Sequence, residues 1–287
     1  MFQEDEFFIC EDCGLINIEG LDRFKFIQGI ISNDIEILKK RPSIYSSILT
    51  PQGKFLYDFF LSNYDNKFIL ETNKNNIEDL VKRLTLFKLR SDVTITNNEN
   101  LKIVLTKSKI ENTNNLAKAS LSFLDPRFKN FFFRSYVVKN KIDSLKKNLQ
   151  ELTIEKYSEL RIKHSIPDFT LDSIIEKSLL LEMRFDQLNG ISWTKGCYLG
   201  QEITARMKHR KIVKKKIYKV IIDYKTNIKK DLISNDKIVG ELFSHNKKYG
   251  LAYIKTDFLD NKSPSIIYSG DSMLKIDEPW WAKKISN

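Results

Sequence analysis

The chain has 287 residues but only three cysteines, three histidines, six prolines and ten glycines. An odd number of thiols argues against a disulfide framework, so free thiols in a reducing, cytoplasmic setting are expected. No apolar run approaches the roughly 20 residues of a membrane helix. The opening residues MFQEDEFF lack the basic-then-apolar layout of a secretory leader. Easily read chemical motifs are missing too. There is no glycine-rich dinucleotide loop and no phosphate-binding loop ending in Gly-Lys-Ser/Thr, and His164, His209 and His245 have no metal-ligand spacing. These absences weigh against nucleotide hydrolysis, zinc hydrolysis and a membrane span.

Hydrophobic residues make up 41% of the chain, enough for ordinary buried cores without covalent staples. The net charge is +11, which admits polyanion or membrane-surface binding through the summed field. The bases are 38 lysines against ten arginines, and isoleucine and asparagine are also abundant. A/T-rich codons produce that same pattern, so the charge by itself does not decide between the two readings. A monomer is expected.

Periodicity organises the rest. GLINIEG (14–20) alternates as a strand should, and Asp22 stands where it could cap a short helix carrying Phe24, Ile27, Ile30 and Ile31. SIYSSIL (43–49) and KFLYDFFLS (54–62) read as strands joined by the turn Thr50-Pro51-Gln52-Gly53, and KFIL (67–70) as another. Asn76 is placed to cap the helix IEDLVKRLTLFKLR (77–90), with Ile77, Leu80, Val81 and Leu84 on one face. SDVTIT (91–96) returns as a strand.

From Leu101 to Phe133 the pattern holds the strand LKIVL, the polar stretch ENTNN and the turn Asp125-Pro126-Arg127. The strand YVVK and a long helix over Ser144–Lys163 are expected next. KIYKVIID, KIVGELFS and YGLAYIKT then predict a small all-β module at the C-terminus. The class is α+β, with segments 1–100, 101–210 and 211–287.

The segment KGCYLGQEITARMKHR (195–210) concentrates the scarce residue types. Cys197 acts as a nucleophile or metal ligand only as thiolate, a form that Lys195 and Arg206 would favour if the fold brought them near. Gly196 and Gly200 permit unusual backbone angles and close ligand approach. QEITARM reads as a helix start, whose free N–H groups would lie near the sulfur. Glu202 and Arg206 share a helix face, the spacing of an ordinary surface ion pair. A buried, inert Cys197 is the competing reading.

The series Lys-Gly-Cys-Tyr-x-Gly-Gln-Glu-x-x-x-Arg resembles the signature of the YgfZ family of folate-binding proteins, relatives of the glycine-cleavage aminomethyltransferase (T-protein). LEMRFDQLNGISW before it and RMKHR after it look like the alphaproteobacterial branch. FIQGIISNDI, TPQGKFLYDF, DPR, VGELFS and YGLAYIK extend the likeness along most of the chain. Leu180 stands where a proline is usual. Ser165 and Lys211 stand where the family often has glycine, and both bear on local loop shape.

The resemblance implies a three-part, clover-like body of T-protein type, with ferredoxin-like α/β subdomains and a small C-terminal β-barrel. It implies bound tetrahydrofolate and a role in assembling or repairing iron–sulfur enzymes, with effects on tRNA modification through them. Cys197 would be the functional thiol, in passing contact with a cluster. Gln28, Asn33, Asp34, Asp58, Glu182, Lys195, Gly196, Tyr198, Gly200, Gln201, Glu202 and Arg206 would line the folate site. Partners would be iron–sulfur client or carrier proteins.

In the transferase relatives a catalytic acid lies in an Asp-Asp pair, and here that pair is Tyr57-Asp58. A tetrahydrofolate-dependent aminomethyltransferase or demethylase is therefore the alternative rather than the first reading. Strand alternation leaves open whether Asp58 faces the pterin or solvent. Gln28, Asn33 and Asp34 also fit a role in closing the helix end and turn.

Cys10-Glu-Asp-Cys13 is a lone C-x-x-C pair. With Cys197 it could supply three thiolates, but it lacks the second pair that makes metal spacing persuasive. The basic run Lys208–Lys216 allows weak nucleic-acid binding, a tRNA-binding module at most, or is a solvated entry to a strand. Trp280-Trp281 is expected to dock on the β-module.

Overall fold

The computed structural model describes residues 1–110, 119–260 and 266–282, so the stretch ENTNN (111–115) lies outside the described residues. The chain divides into two compact units, Met1–Pro51 with Leu56–Ile154 and Leu188–Gln201, and Gln52–Phe55 with Glu155–Gln187 and Glu202–Asn287.

The first unit holds two five-stranded sheets. β1 (Glu6–Ile9) and β2 (Cys13–Glu19) follow each other through a tight turn, yet they enter different sheets. β2 joins β3 (Ser43–Leu49), β4 (Phe55–Tyr64), β5 (Lys67–Asn73) and β6 (Thr94–Asn98) in the order β3-β4-β5-β2-β6. β1 joins β7 (Leu101–Thr106), β8 (Ala119–Leu124), β9 (Phe133–Val138) and β10 (Gln150–Glu151) in the order β10-β1-β7-β9-β8.

Two helices serve the first of these sheets, α1 (Arg23–Gln28) and α2 (Ile77–Lys88). Their apolar faces place Phe26, Ile27, Leu80 and Leu84 in one core with Ile16, Ile18, Phe68 and Leu70. Spacing of three and four residues along α2 makes that stripe.

The caps differ from expectation. Asp22 makes no side-chain cap to α1, and its carboxylate instead accepts from the backbone N–H of Asp92 at 2.8 Å. Asn76 likewise makes no side-chain cap. Asn73 holds the short 3-10 turn that precedes α2, accepting from the N–H of Asn75.

The long helix expected over Ser144–Lys163 is two pieces, α3 (Ile142–Lys146) and α4 (Ile154–Lys163). Between them the chain pairs in parallel with β1, Glu6 opposite Gln150, and Leu152 N–H donates to the carbonyl of Phe7. Sheet pairing with the N-terminus overrides a helical apolar period that is only local.

The second unit carries α4, α5 (Gln201–Arg210), which begins at the last residue of the first unit, and a closed six-stranded barrel. The barrel strands are β11 (Lys215–Asp223), β12 (Asp231–Ser234), β13 (Lys237–His245), β14 (Tyr249–Lys255), β15 (Ile267–Ser269) and β16 (Ser272–Asp277), in the order β11-β14-β13-β12-β15-β16. The short helix α6 (Thr256–Asp260) follows β14. Val220, Ile222, Leu232, Leu242, Ile254, Ile267 and Leu274 fill the interior at every second position, and closure removes the sheet edge.

Ser165 and Lys211 resolve the loop question left by the sequence. Both take left-handed backbone angles, φ 57° and 52°. Ile166 N–H donates to Arg161 O and Ser165 N–H to Ile162 O. Ile212 N–H donates to Met207 O and Lys211 N–H to Lys208 O. These are the paired bonds of a Schellman helix stop, so α4 and α5 end as a glycine would end them, at a steric cost.

Both tryptophan indoles are held at the end of α4. The indole N–H of Trp280 donates to His164 O and that of Trp281 to Ser165 O, each at 2.8 Å. Trp281 is buried and Trp280 is half exposed. The end of α4 has carbonyls without helical partners, which attract such donors.

Candidate functional site

The segment 195–200 is anchored through Lys195. Its ammonium donates to the carbonyls of Gln28 (2.7 Å), Ile31 (2.8 Å) and Asn33 (2.9 Å) and lies 5.1 Å from the centre of the Tyr198 ring. Gln28 is the last residue of α1 and Ile31 and Asn33 follow beyond it, so no continuing helix supplies donors to these carbonyls and the lysine does. Burial pushes the Lys195 ammonium down to about 8, with the Asp34 carboxylate pulling the other way, so it is still charged at neutral pH. Leu199 N–H donates to Gly29 O and Ser192 N–H to Ser32 O, which fastens the two segments backbone to backbone.

The polar residues of the FIQGIISNDI segment are used inside the same knot. The Gln28 amide donates to Asp34 and its carbonyl accepts from Ile35 N–H. Asp34 also accepts from Glu36 N–H. The Asn33 amide donates to the carbonyls of Tyr45 and Asn189, both at 2.8 Å. The Gln28 and Asp34 bonds close the helix end and turn, whereas the Asn33 amide ties that turn to the segments at Tyr45 and Asn189.

Cys197 is exposed and is a free thiol. The expectation that Lys195 and Arg206 would act on its sulfur is redirected, since Lys195 turns into the carbonyls and Arg206 pairs with Glu202 on α5. That pair is exposed at both ends, as its i,i+4 spacing predicts. Gly200 takes φ 78°, a left-handed turn into α5 that a side chain would strain. Gln201 is half-buried at the helix start, and its side chain accepts weakly from Tyr198 N–H at 3.4 Å. A Cβ at Gly196 would meet nothing within 4 Å. The fold therefore leaves room at Gly196 and places no demand of its own on that glycine.

Tyr57 and Asp58 lie on opposite faces of β4. Tyr57 is buried and its hydroxyl donates to Asp79 of α2. Asp58 is half-buried and accepts from the Tyr45 hydroxyl at 2.7 Å. Burial, and next the negative charge of Asp58, push the Tyr45 hydroxyl well above its usual range.

On that face lies a network that the sequence did not announce. Arg127 forks onto Asp125, with 3.0 Å from Nε and 2.9 Å from Nη2, and its guanidinium stacks 5.0 Å from the Phe60 ring and 5.3 Å from that of Tyr45. Arg134 of β9 bonds Asp125 at 3.3 Å and Glu71 of β5 at 3.2 Å, and so ties the two sheets together. All four charged groups are buried. Burial alone would raise the Asp125 carboxyl, but Arg127 and then Arg134 hold it below its ordinary value. The tripeptide Asp-Pro-Arg was the available signal, and its partners are distant in sequence. Asn189 completes the link, its amide donating to the carbonyls of Pro126 and Arg127.

In the second unit Glu182 is buried and its carboxyl is pushed up by that burial, against the pull of Lys215, Lys54 and Lys214. Its backbone carbonyl accepts from Ile217 N–H of β11. The structure thus brings Gln28, Asn33, Asp34, Lys195 and Tyr198 together, and Asp58 is linked to them through Tyr45. Glu182, Glu202 and Arg206 are supported separately.

Cys10 and Cys13 form a disulfide, where thiols were expected, so they do not join Cys197 as thiolate ligands. Among the described residues no group of three or more His, Cys, Asp or Glu side chains could hold a metal ion. No described helix is long and apolar enough to cross a membrane.

Comparison with known proteins bears on this arrangement. Residues 214–284 match the family described as CAF17, C-terminal beta-barrel domain. The chain is 31% identical over 237 residues to the Iron-sulfur cluster assembly factor IBA57 homolog, mitochondrial, of Neurospora crassa, covering 73% of this chain and 52% of that protein. It is 28% identical over 220 residues to the homolog of Mycosarcoma maydis, covering 71% and 54%. With the mouse factor identity is 24% over 299 residues, covering 93% and 83%. Its relatives are iron–sulfur cluster assembly factors.

The chain spans little more than half the length of the fungal relatives. The fold is T-protein-like: the glycine cleavage system aminomethyltransferase T from Bartonella henselae superposes with a TM-score of 0.77 at 12% identity, covering 96% of this chain and 85% of that one.

Proposed function

We propose that this chain is an iron–sulfur cluster assembly factor of YgfZ type, in the alphaproteobacterial branch, and that Cys197 is the thiol through which it acts. The observation that carries the reading is an exposed free thiol on a segment fixed by a three-carbonyl lysine anchor. A thiolate so presented is open to a partner. A single cysteine supplies one of the four ligands that an iron–sulfur cluster usually takes, so a carrier or client protein would hold the rest. The cluster is cargo in this reading, and a cytoplasmic location remains part of it.

Tetrahydrofolate is the small molecule proposed to bind. The groups of the first unit suited to a pterin are the half-buried carboxylate of Asp58, which could accept from ring N–H groups, and the room beside Gly196. The side chains of Gln28, Asn33 and Asp34 are engaged in hydrogen bonds within their own segment and to Tyr45 and Asn189. Effects on tRNA modification would follow through cluster-dependent client enzymes.

The test is complementation of cells lacking the chain, with cluster-dependent enzyme activity as readout. Cys197→Ser is expected to fold with an unchanged Tm and to fail in rescue, and full rescue would sink the thiol role. Titration with tetrahydrofolate tests the second claim separately, with Asp58→Asn expected to weaken binding about tenfold, the loss of one charge-assisted hydrogen bond. Absence of binding to the wild type would remove folate and leave the assembly role standing. Formation of methylene-tetrahydrofolate from a methylated amine would favour the transferase alternative.

A further inference from the structure

The Cys10–Cys13 pair lies outside everything assigned so far. It closes the turn at which β1 and β2 part into different sheets. Non-covalent contacts already hold that turn. Cys10 N–H donates to Ile103 O at 2.9 Å, Cys13 N–H to Cys10 O at 3.2 Å, and Lys74 N–H to Asp12 O at 2.7 Å. Glu11 pairs with Lys102 of β7, and Cys13 is in register with Asn73 of β5. Both cysteines are half-buried, within reach of a reagent from solvent.

A staple is a poor account of this bond. The stabilisation a disulfide gives grows with the loop it closes, and here the separation is three residues. The chain also has apolar cores in both units. What the framework does provide is preorganisation. The Cα atoms are 5.3 Å apart, held there by hydrogen bonds that do not depend on sulfur. Reduction would leave the two thiols facing each other, ready to close again.

We infer that Cys10 and Cys13 form a reversible thiol–disulfide exchange site whose substrate is a thiol or dithiol. The thiolate of the incoming reductant attacks one sulfur, forming a mixed disulfide and releasing the other cysteine as thiolate. A second reductant thiolate then attacks the mixed disulfide at the reductant's own sulfur. The chain ends with two thiols and the reductant with one disulfide, two electrons and two protons having passed between them. The site is independent of Cys197 and of the assembly role.

The experiment equilibrates the full-length protein in glutathione buffers from fully reduced to fully oxidised, quenches with acid, alkylates and reads intact and peptide masses. One two-electron transition that closes Cys10 on Cys13 is expected in their peptide, while Cys197, exposed and alone, takes up at most one glutathione in the oxidised buffers. A parallel series in dithiothreitol separates the sources. A transition in glutathione means that a monothiol suffices, and a transition in dithiothreitol alone points to a dithiol carrier. The inference is overturned if the pair stays closed in both reductants, stays open in oxidised glutathione, or if oxidation joins Cys197 to Cys10 or Cys13. Reduction should lower Tm by no more than about 5 °C, as a short loop dictates, and a fall beyond about 10 °C would mark a structural staple instead.

Discussion

The two units solve the same packing problem with different interiors. The buried core of the barrel is aliphatic and carries no charged side chain, with Leu232 and Ile254 fully buried. In the first unit the two sheets meet through Glu71, Arg134, Asp125 and Arg127, four charges out of solvent. An aliphatic interior is tolerant of partner choice, because any apolar neighbour of the right volume will do. A buried ion network is not, since each member left alone is a desolvated charge. The difference teaches that the sheet pair depends on specific partners and the barrel on pattern.

The sharpest way to break the contrast is Arg134→Met. Removing the guanidinium strands Glu71 and weakens the support of Asp125, at a cost of about 3–5 kcal/mol in denaturant unfolding. The double variant Glu71→Met with Arg134→Met should recover most of that loss. If the double variant is no better than the single one, the network is not the reason. In the barrel, Leu232→Ala should cost about 2–4 kcal/mol through the cavity it leaves, with no second-site apolar change needed to explain it.

Acid separates the units by pH. Burial pushes the imidazole of His164, in the second unit, down to about 4, next to Lys163 and Lys219. Its usual value is near 6.5, so below that the unfolded chain takes up a proton that the folded one refuses, and stability falls as pH drops from about 6.5 to about 4. Asp125 has the opposite sign. Its carboxyl is held below the ordinary 3.8, so its contribution is present above that value and is lost only as pH falls further through the folded one. The raised carboxyls of Glu182 and Asp186 in the same unit act against this fall, so the His164 share is read by difference: His164→Gln should flatten the loss of stability between pH 6.5 and 4 in denaturant unfolding. An unchanged profile in that variant would refute the assignment.

The smallest effect concerns the helix stops. Lys211→Gly should stabilise by roughly 0.5 kcal/mol, the relief of a left-handed side chain less the entropy glycine loses on folding. A measured loss would mean that the lysine side chain contributes more than its backbone strain costs.

Much of this was legible beforehand. The strands SIYSSIL, KFLYDFFLS and KIYKVIID sit where alternation puts them, and the C-terminal module is a barrel. The likeness to T-protein relatives, read from KGCYLGQE and its companions, is matched by the fold. Other elements were not legible. Residues 144–163 carry a helical period, but the chain between α3 and α4 leaves it to pair with β1. Asp22 looked like a cap, and it is occupied by Asp92, 70 residues away. Cys10 and Cys13 counted as thiols because the total was odd, and counting carries no information on which pair is adjacent.

The candidate site divides the same way. That 195–210 is a unit with a turn, a thiol and a helix start was set by residue type, because glycine, cysteine and a 3.6-residue period act locally. That Lys195 feeds three carbonyls at 28–33 was decided by the tertiary structure. So was Cys197 reaching the surface without those cations directed at it, and so was Arg134 finding Glu71. A period of two or 3.6 residues tells a side chain which face to take. It does not say which charge or carbonyl more than 60 residues away will be waiting there, and in this protein those distant partners fix the ion network and the anchor of the thiol.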